Sequence, residues 1–441
     1  MKQRSLVHRL RSVAAAAVAV LAAASLAGCS GSPQGATRLD KKANVSLTWW
    51  TGQSASAEKV LEGLAADFEK LNPNVTINVQ SGAASTDQLL QKLSAGFASG
   101  TFPDISYAYG SWASQLEASG RTQDITAQVA KPGVRWSEFA GAARKTARPT
   151  GQKTIGFPAL VDNISLFYNK TVFDKAGLGY PTNEWTWDQF RSAAKKLTDP
   201  ANGTYGYGYS VSGSEETTWQ FWPHLWQNGG SILSPDQTKA QFASPAGVKS
   251  LTLLRDMAVE DRSVYLDQTD VKFAQLFESD RIGMITSGPW ELSALKTAKT
   301  KYGVAYLPGT NGNHQTVSGP DLWVLFDQKD KNRAYWSYEF TEWLTSAPVD
   351  LKWNVKVGNL PLRSSEINST AFQNQEKVYP GITLLAENAN NATTARPTTQ
   401  GYVGVSTAIG KAISNVMQGK GTPQSALKAA QEQADQALAK G

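Results

Sequence analysis

Hydrophobic positions divide the chain into one long apolar run and many short periodic segments. Residues 13–26 are almost unbroken Ala, Val and Leu, and no later run is as long. From Val45 the pattern changes. Val45 to Trp50 alternates apolar and polar positions, which predicts a strand. Val60, Leu61, Leu64, Phe68 and Leu71 recur at helical spacing, and residues 75–79 read as a second strand. A β-α-β opening predicts a parallel sheet. Further helices are expected over 89–97, 182–197, 248–257, 271–277, 334–345 and 425–439. Further strands are expected over 103–110, 155–163, 164–170, 282–286, 302–309 and 322–326.

Several aromatic residues fall where these strands end. Tyr109, Ser111 and Trp112 follow the strand that begins near Pro103, and Trp290 follows the strand at 282–286. Ligands of open α/β sheets bind at carboxyl ends of strands, so these positions are candidate site residues. Residues 219–230 hold the densest cluster. Trp219, Trp222 and Trp226 stand at helical spacing, with Pro223 and the pair Gly229-Gly230 expected to keep the helix short. Such a face serves either a core or the wall of a polar-ligand groove. Asp162 interrupts an apolar strand. It is either an Asx-type turn residue or a carboxylate that accepts hydrogen bonds from ligand hydroxyls.

Charge and composition remove several functional classes. The 441 residues carry a net charge of +6, and four of those charges are Lys2, Arg4, Arg9 and Arg11. The basic character therefore belongs mainly to the N-terminus, and no basic run interleaved with aromatics supports nucleic-acid binding. Among the three histidines, His224 and His314 are far apart and no HExxH occurs, so metal-dependent hydrolysis is poorly supported. His224 is expected as a surface or capping residue. No nucleophile elbow or Walker loop is present, and no cofactor is implied. A glycoside hydrolase would need a carboxylate pair flanking a bond, and only Asp162 looks placed for ligand contact.

The N-terminus reads as an address. Its basic start, its short apolar run and the sequence Leu26-Ala27-Gly28-Cys29 resemble the signal and lipobox of bacterial lipoproteins. The resemblance implies cleavage after residue 28 and a lipid on Cys29, the only cysteine. Residues 29–43 are then expected to form a flexible tether, holding the protein on the outer face of the cell membrane.

The ordered series Phe102-Pro103-Asp104-Ile105, Leu166-Phe167-Tyr168-Asn169-Lys170, Trp185-Thr186-Trp187-Asp188, Asn228-Gly229-Gly230, Gly288-Pro289-Trp290, Leu307-Pro308-Gly309 and Asn359-Leu360-Pro361 resembles the extracellular solute-binding protein family, which includes maltose binders. The resemblance implies an α/β, two-lobed periplasmic-binding-protein-like fold with a ligand cleft between lobes joined by hinge crossings. It implies a first lobe over 44–160 and 321–357, a second over 165–317 and 361–441, and hinges at 161–164 and 318–320. It also implies a monomeric carbohydrate receptor, without catalysis, that delivers its ligand to an ABC permease. A secreted glycoside hydrolase or a lectin-like adhesin is the alternative. By position, Asp162 falls near a ligand-binding glutamate of maltose binders. Trp222 and Trp290 match stacking tryptophans, and Trp219 matches a ligand-contacting tyrosine. Ser111 and Trp112 replace an Asp-Arg pair, while Ser406 replaces a further stacking ring that Tyr402 could supply. Trp50, Gln53, Tyr109 and Trp323 complete the expected ligand-contacting set.

Overall fold

The computed structural model describes residues 35–83 and 86–440. The proposed signal and Cys29 lie outside the described residues. Ten strands form two five-stranded sheets. The first has the order β2-β1-β3-β10-β4, from β1 (Val45–Trp50), β2 (Val75–Gln80), β3 (Ile105–Ala108), β4 (Gly156–Asn163) and β10 (Ser318–Leu325). The second has the order β7-β6-β8-β5-β9, from β5 (Ser165–Asn169), β6 (Tyr205–Ser210), β7 (Val264–Asp267), β8 (Ile282–Ser287) and β9 (Tyr302–Ala305). As the opening pattern predicts, β1 is parallel to both β2 and β3. The antiparallel members β10 and β5 are the strands nearest the passage between sheets.

Each sheet is covered by helices that bury its apolar faces. Helices α1 (Ala55–Leu71) and α2 (Thr86–Ser99) serve the first lobe. Helix α3 (Glu215–Gln227), α4 (Pro245–Arg255), α8 (Tyr402–Met417) and α9 (Pro423–Leu438) pack together in the second. Helices α5 (Lys331–Leu344) and α6 (Ala347–Val357) return to the first lobe, and α7 (Ile382–Asn388) packs beside β9. Asp104, buried in the Phe102-Pro103-Asp104 motif, accepts Arg333 Nε and a terminal guanidinium nitrogen at 2.8 and 2.7 Å and the Thr48 amide at 2.8 Å. One carboxylate therefore ties α5 to β1, and a charge so deeply buried needs such complete satisfaction.

The chain between lobes is a ribbon, not a pair of loose linkers. β4 and β10 remain paired to the ribbon's end, with Gly319 opposite Asp162 and Ser318 opposite Asn163. Asn388 braces the turn-over point, donating to Ser165 Oγ at 2.7 Å and to the Ile164 carbonyl at 3.0 Å. A third crossing follows α6. Arg363 still belongs to the first lobe, donating to the carbonyls of Thr345 and Val134 at 2.7 and 3.0 Å.

Three sequence expectations change, and one strand, β6, is an element that the pattern did not predict. The tether expected to residue 43 is held from Ala36, whose amide donates to Asp330 at 2.9 Å, and Asp40 N donates to Asn332 at 2.7 Å. β6 was not legible because Tyr205-Gly206-Tyr207-Gly208 reads as loop. Its glycines instead admit close packing: a Cβ on Gly206 would lie 2.0 Å from the Ala194 carbonyl oxygen. Pro223 does not shorten α3, which runs through it for 13 residues. His224 is not on the surface. It is buried against the Trp187 ring at 3.9 Å, and burial pushes its imidazolium pKa down to about 3.

A neutral, buried His contributes stability above its unfolded pKa, near 6.5, that is lost as pH falls through the folded value. His224→Phe is expected to reduce the loss of thermal stability between pH 6.5 and 4. Melting curves across that range check it; an unchanged acid slope would remove His224 from the account.

Candidate functional site

The two lobes meet over the ribbon. Trp219, on α3 of the second lobe, and Arg396, on the segment leading into α8, both rest on Gly319 of β10. A Cβ built on Gly319 would come 2.3 Å from the Trp219 ring and 2.8 Å from an Arg396 terminal nitrogen. The Arg396 guanidinium lies 3.9 Å over the Trp219 ring and pairs with Glu215 Oε1 at 2.7 Å. Tyr402 donates to the same oxygen at 3.2 Å, and Ser406 donates to the second carboxylate oxygen of Glu215. Glu215 therefore fixes Arg396 to the second lobe.

The first lobe brings two aspartates to this point. Asp162 Oδ1 accepts the Gly319 amide at 3.1 Å. Asp321 accepts the Gly110 amide at 3.2 Å and the Tyr107 hydroxyl. The β10–β4 register slips between Asp321 and Leu322, and such a bulge re-aims a side chain out of the sheet alternation. Burial holds Asp162 well above the usual carboxylate range, and Asp321 adds to the shift while Arg396 opposes it. Burial likewise raises Asp321 to about 6, against the pull of Arg396. Glu216, also near Asp162, accepts Gln220 at 2.7 Å. The site thus gathers Asp162, Asp321 and Glu215 around one guanidinium, with Glu216 acting on Asp162.

The sequence-predicted residues divide into three groups. Asp162 and Trp219 are part of the lobe contact. Tyr109, Ser111 and Trp112 line its first-lobe side: Gly110, between them, donates to Asp321, and the Tyr109 and Trp112 rings lie 4.7 Å apart. Gln53 is half-buried in the loop after β1. Trp222 differs from expectation. Its ring is fully buried and its Nε1 donates to Tyr402 at 3.0 Å, so it stands behind the site and braces Tyr402. Tyr402 is likewise buried, its hydroxyl engaged by Trp222 and Glu215, and is not a free stacking ring. Trp226 is core. Trp323 is packed edge-on against Trp49 and Tyr107, at 5.0 and 5.6 Å, within the first core. Trp50 lies under Lys92, whose ammonium is 4.2 Å over its ring, on the side of α2. Trp290 is 37% exposed and folded over Gly288, a ring open to solvent.

Two buried polar atoms at the lobe contact, Ser111 Oγ and Trp219 Nε1, find no hydrogen-bond partner among the described residues. Unsatisfied buried groups cost about 1–3 kcal/mol each, so a polar ligand that supplied partners would recover that cost. Beside the contact a groove of about 580 Å³ runs between the lobes, with Ser114, Glu117 and Lys153 on one wall and Asp236 and Thr398 on the other. A larger groove of about 780 Å³, around Gly229 and Asp435, is lined by second-lobe residues alone, and neither groove has an aromatic ring in its lining. Among the described residues no cluster of three or more His, Cys, Asp or Glu could hold a metal ion.

Sequence reasoning missed Arg396, Asp321 and Glu215. Asp321 had the same signal as Asp162, an acid inside an apolar strand. Arg396 sits in a polar segment with no periodicity, and nothing local distinguishes it.

Two α/β lobes strung on a paired ribbon and meeting over a polar, aromatic contact define a binding protein of the two-lobed, cleft-closing class. The model of the bacterial extracellular solute-binding protein family matches residues 51–350, and the chain belongs to that family. It is 27% identical over 399 residues to a putative binding protein of Brucella abortus, covering 88% of this chain and 92% of that one. It is 25% identical over 418 residues to the sn-glycerol-3-phosphate-binding periplasmic protein UgpB of Shigella dysenteriae, covering 90% and 93%. Among solved structures it is similar to an ABC transporter solute-binding protein of Thermotoga lettingae bound with α-D-tagatose. That match has a TM-score of 0.80 and 26% identity and covers 89% of this chain and 99% of the other.

The geometry separates two tryptophans that the sequence treats alike. Trp222→Ala is expected to cost about 3–5 kcal/mol of stability, whereas Trp219→Ala weakens ligand binding with a smaller stability loss; chemical denaturation and calorimetric titration read the two effects. Gly319→Ala is expected to hold the lobes apart, because its methyl group needs the space of the Trp219 ring. Small-angle scattering should show a larger radius of gyration than wild type, and an unchanged radius would refute the close fit.

Proposed function

We propose that the protein is the carbohydrate-binding receptor of an ABC importer, capturing a neutral sugar or oligosaccharide between its lobes and presenting the closed form to the permease. The observation that carries this reading is the composition of the lobe contact. One indole face, unpartnered polar atoms and an excess of carboxylate suit C–H faces and hydroxyl groups. Three carboxylates around Arg396, itself paired to one of them, Glu215, oppose a phosphoester, so the ligand of the glycerol-phosphate-binding relative is disfavoured here. Asp162, Trp219, Tyr109, Ser111 and Trp112 are the proposed contacts, with Gln53 and the exposed Trp290 at the margins. Trp222 and Tyr402 act by bracing Glu215 and Arg396.

Capture needs no bond to be made or broken. The family and the relatives are binding proteins, and the site holds its acids as hydrogen-bond acceptors. Closure excludes water, and the ligand shifts the open–closed balance by its preference for the closed state. The signal-like segment before Cys29 supports export, cleavage and a lipid anchor there. The tether would then span only the few residues between Cys29 and Ala36, which is pinned to Asp330. No helix among the described residues is long and apolar enough to cross a membrane. The same reading has the receptor act as a monomer.

Calorimetric titration with mono- and oligosaccharides, and with sn-glycerol 3-phosphate as the anionic comparison, tests the reading. A neutral carbohydrate is expected to bind and glycerol phosphate to give no heat. Binding of glycerol phosphate alone, or silence across the whole panel, would overturn it.

A further inference from the structure

Arg396 is held to the second lobe by Glu215, yet it reaches across to the first. Its guanidinium covers Gly319 and faces Asp162 and Asp321, the two aspartates that the ribbon and the first sheet present. Both are buried where the lobes meet. Taking an ionised carboxylate out of water costs free energy unless an opposite charge accompanies it. Closure therefore carries an electrostatic cost that no ligand hydroxyl removes in full.

We infer that Arg396 is a positioning residue for closure: it is the positive charge, delivered from the second lobe, that accompanies Asp162 and Asp321 where the lobes enclose them. The inference rests on the receptor reading for its purpose, but its physics concerns the lobes alone. The groups facing the cluster are Asp162 on β4, Asp321 on β10, Glu215 and Glu216 on α3, Tyr107 on β3 and Tyr402 on α8. None of these is a cation, and Arg396 is the one positive charge named among the groups that act on Asp162 and Asp321. Ser111 and Trp112 leave the first lobe without a cation at the loop after β3, so the second lobe is where that charge must come from.

The sign of the pH dependence follows. Burial raises the pKa of both Asp162 and Asp321 above the free carboxylate value, so to the extent that closure supplies that burial, acid favours closure and neutral pH opposes it. Arg396 offsets the opposition. Without it, closure should be lost near neutrality and regained when the aspartates are protonated. A residue that merely packed would give no such regain.

The test is the radius of gyration of the ligand-free protein by small-angle X-ray scattering between pH 5 and 8. The comparison is wild type against Glu215→Gln/Arg396→Gln, which removes the ion pair as a unit, so that only Asp162 and Asp321 are left without their counter-charge. The double variant is expected to be more expanded than wild type at pH 7.5. The difference should shrink at pH 5, and adding Asp321→Asn should remove it at pH 7.5. With a bound ligand in hand, the double variant is expected to lose roughly 30-fold or more in affinity at pH 7.5. Equal radii at pH 7.5, or an expansion that persists at pH 5, would overturn the inference. A protein that binds no carbohydrate would sink the receptor reading and leave this scattering test intact.

Discussion

Asp162 and Asp321 are buried beside Gly319 where the two lobes meet, and the rest of the site is arranged around the cost of keeping two carboxyl groups out of water. The ribbon of β4 and β10 sets the two aspartates next to each other because Gly319 pairs with Asp162 and a bulge re-aims Asp321. Tyr107 and the Gly110 amide satisfy Asp321 from the first lobe. Glu215 fixes Arg396 on the second, Tyr402 and Ser406 fix Glu215, and Trp222 fixes Tyr402. The buried hydrogen-bond chain from Trp222 to Arg396 thus delivers one positive charge to a defined place at the lobe contact.

The same constraint explains which residues are small. Gly319 has no room for a side chain once Trp219 and Arg396 are seated on it. It also explains why the connection is a two-stranded ribbon braced by Asn388 at Ile164 and Ser165. A loose linker would let the aspartates and the guanidinium meet in many registers. A paired ribbon with one braced turn-over point limits the motion to a hinge, as two-lobed binding proteins require.

Much of this architecture was legible in the sequence. The β-α-β opening, the acid inside the apolar strand at Asp162 and the ordered motifs gave the lobes and one of the two aspartates. What was not legible followed from tertiary context. Tyr205-Gly206-Tyr207-Gly208 looks like loop, and only the close approach of Ala194 shows why a central strand needs glycine there. Trp219 and Trp222 are equivalent on a helical wheel, but α3 is buried on every side, so spacing could not say which ring meets the other lobe. Arg396 carries no local signal at all, because its role comes from a partner 181 residues away. His224 looked like a capping residue until Trp187 was seen against its ring.

The central claim is that carbohydrate is captured where the lobes meet over Gly319, and not in the larger groove lined by second-lobe residues alone. Amide hydrogen exchange with and without a bound carbohydrate tests it most directly. The account predicts slowed exchange at Ser318, Gly319 and Asp321, at Gly110–Trp112, and in the residues leading into Tyr402. Protection confined to the segments around Gly229–Ser231 and Asp435, with the ribbon unchanged, would contradict it.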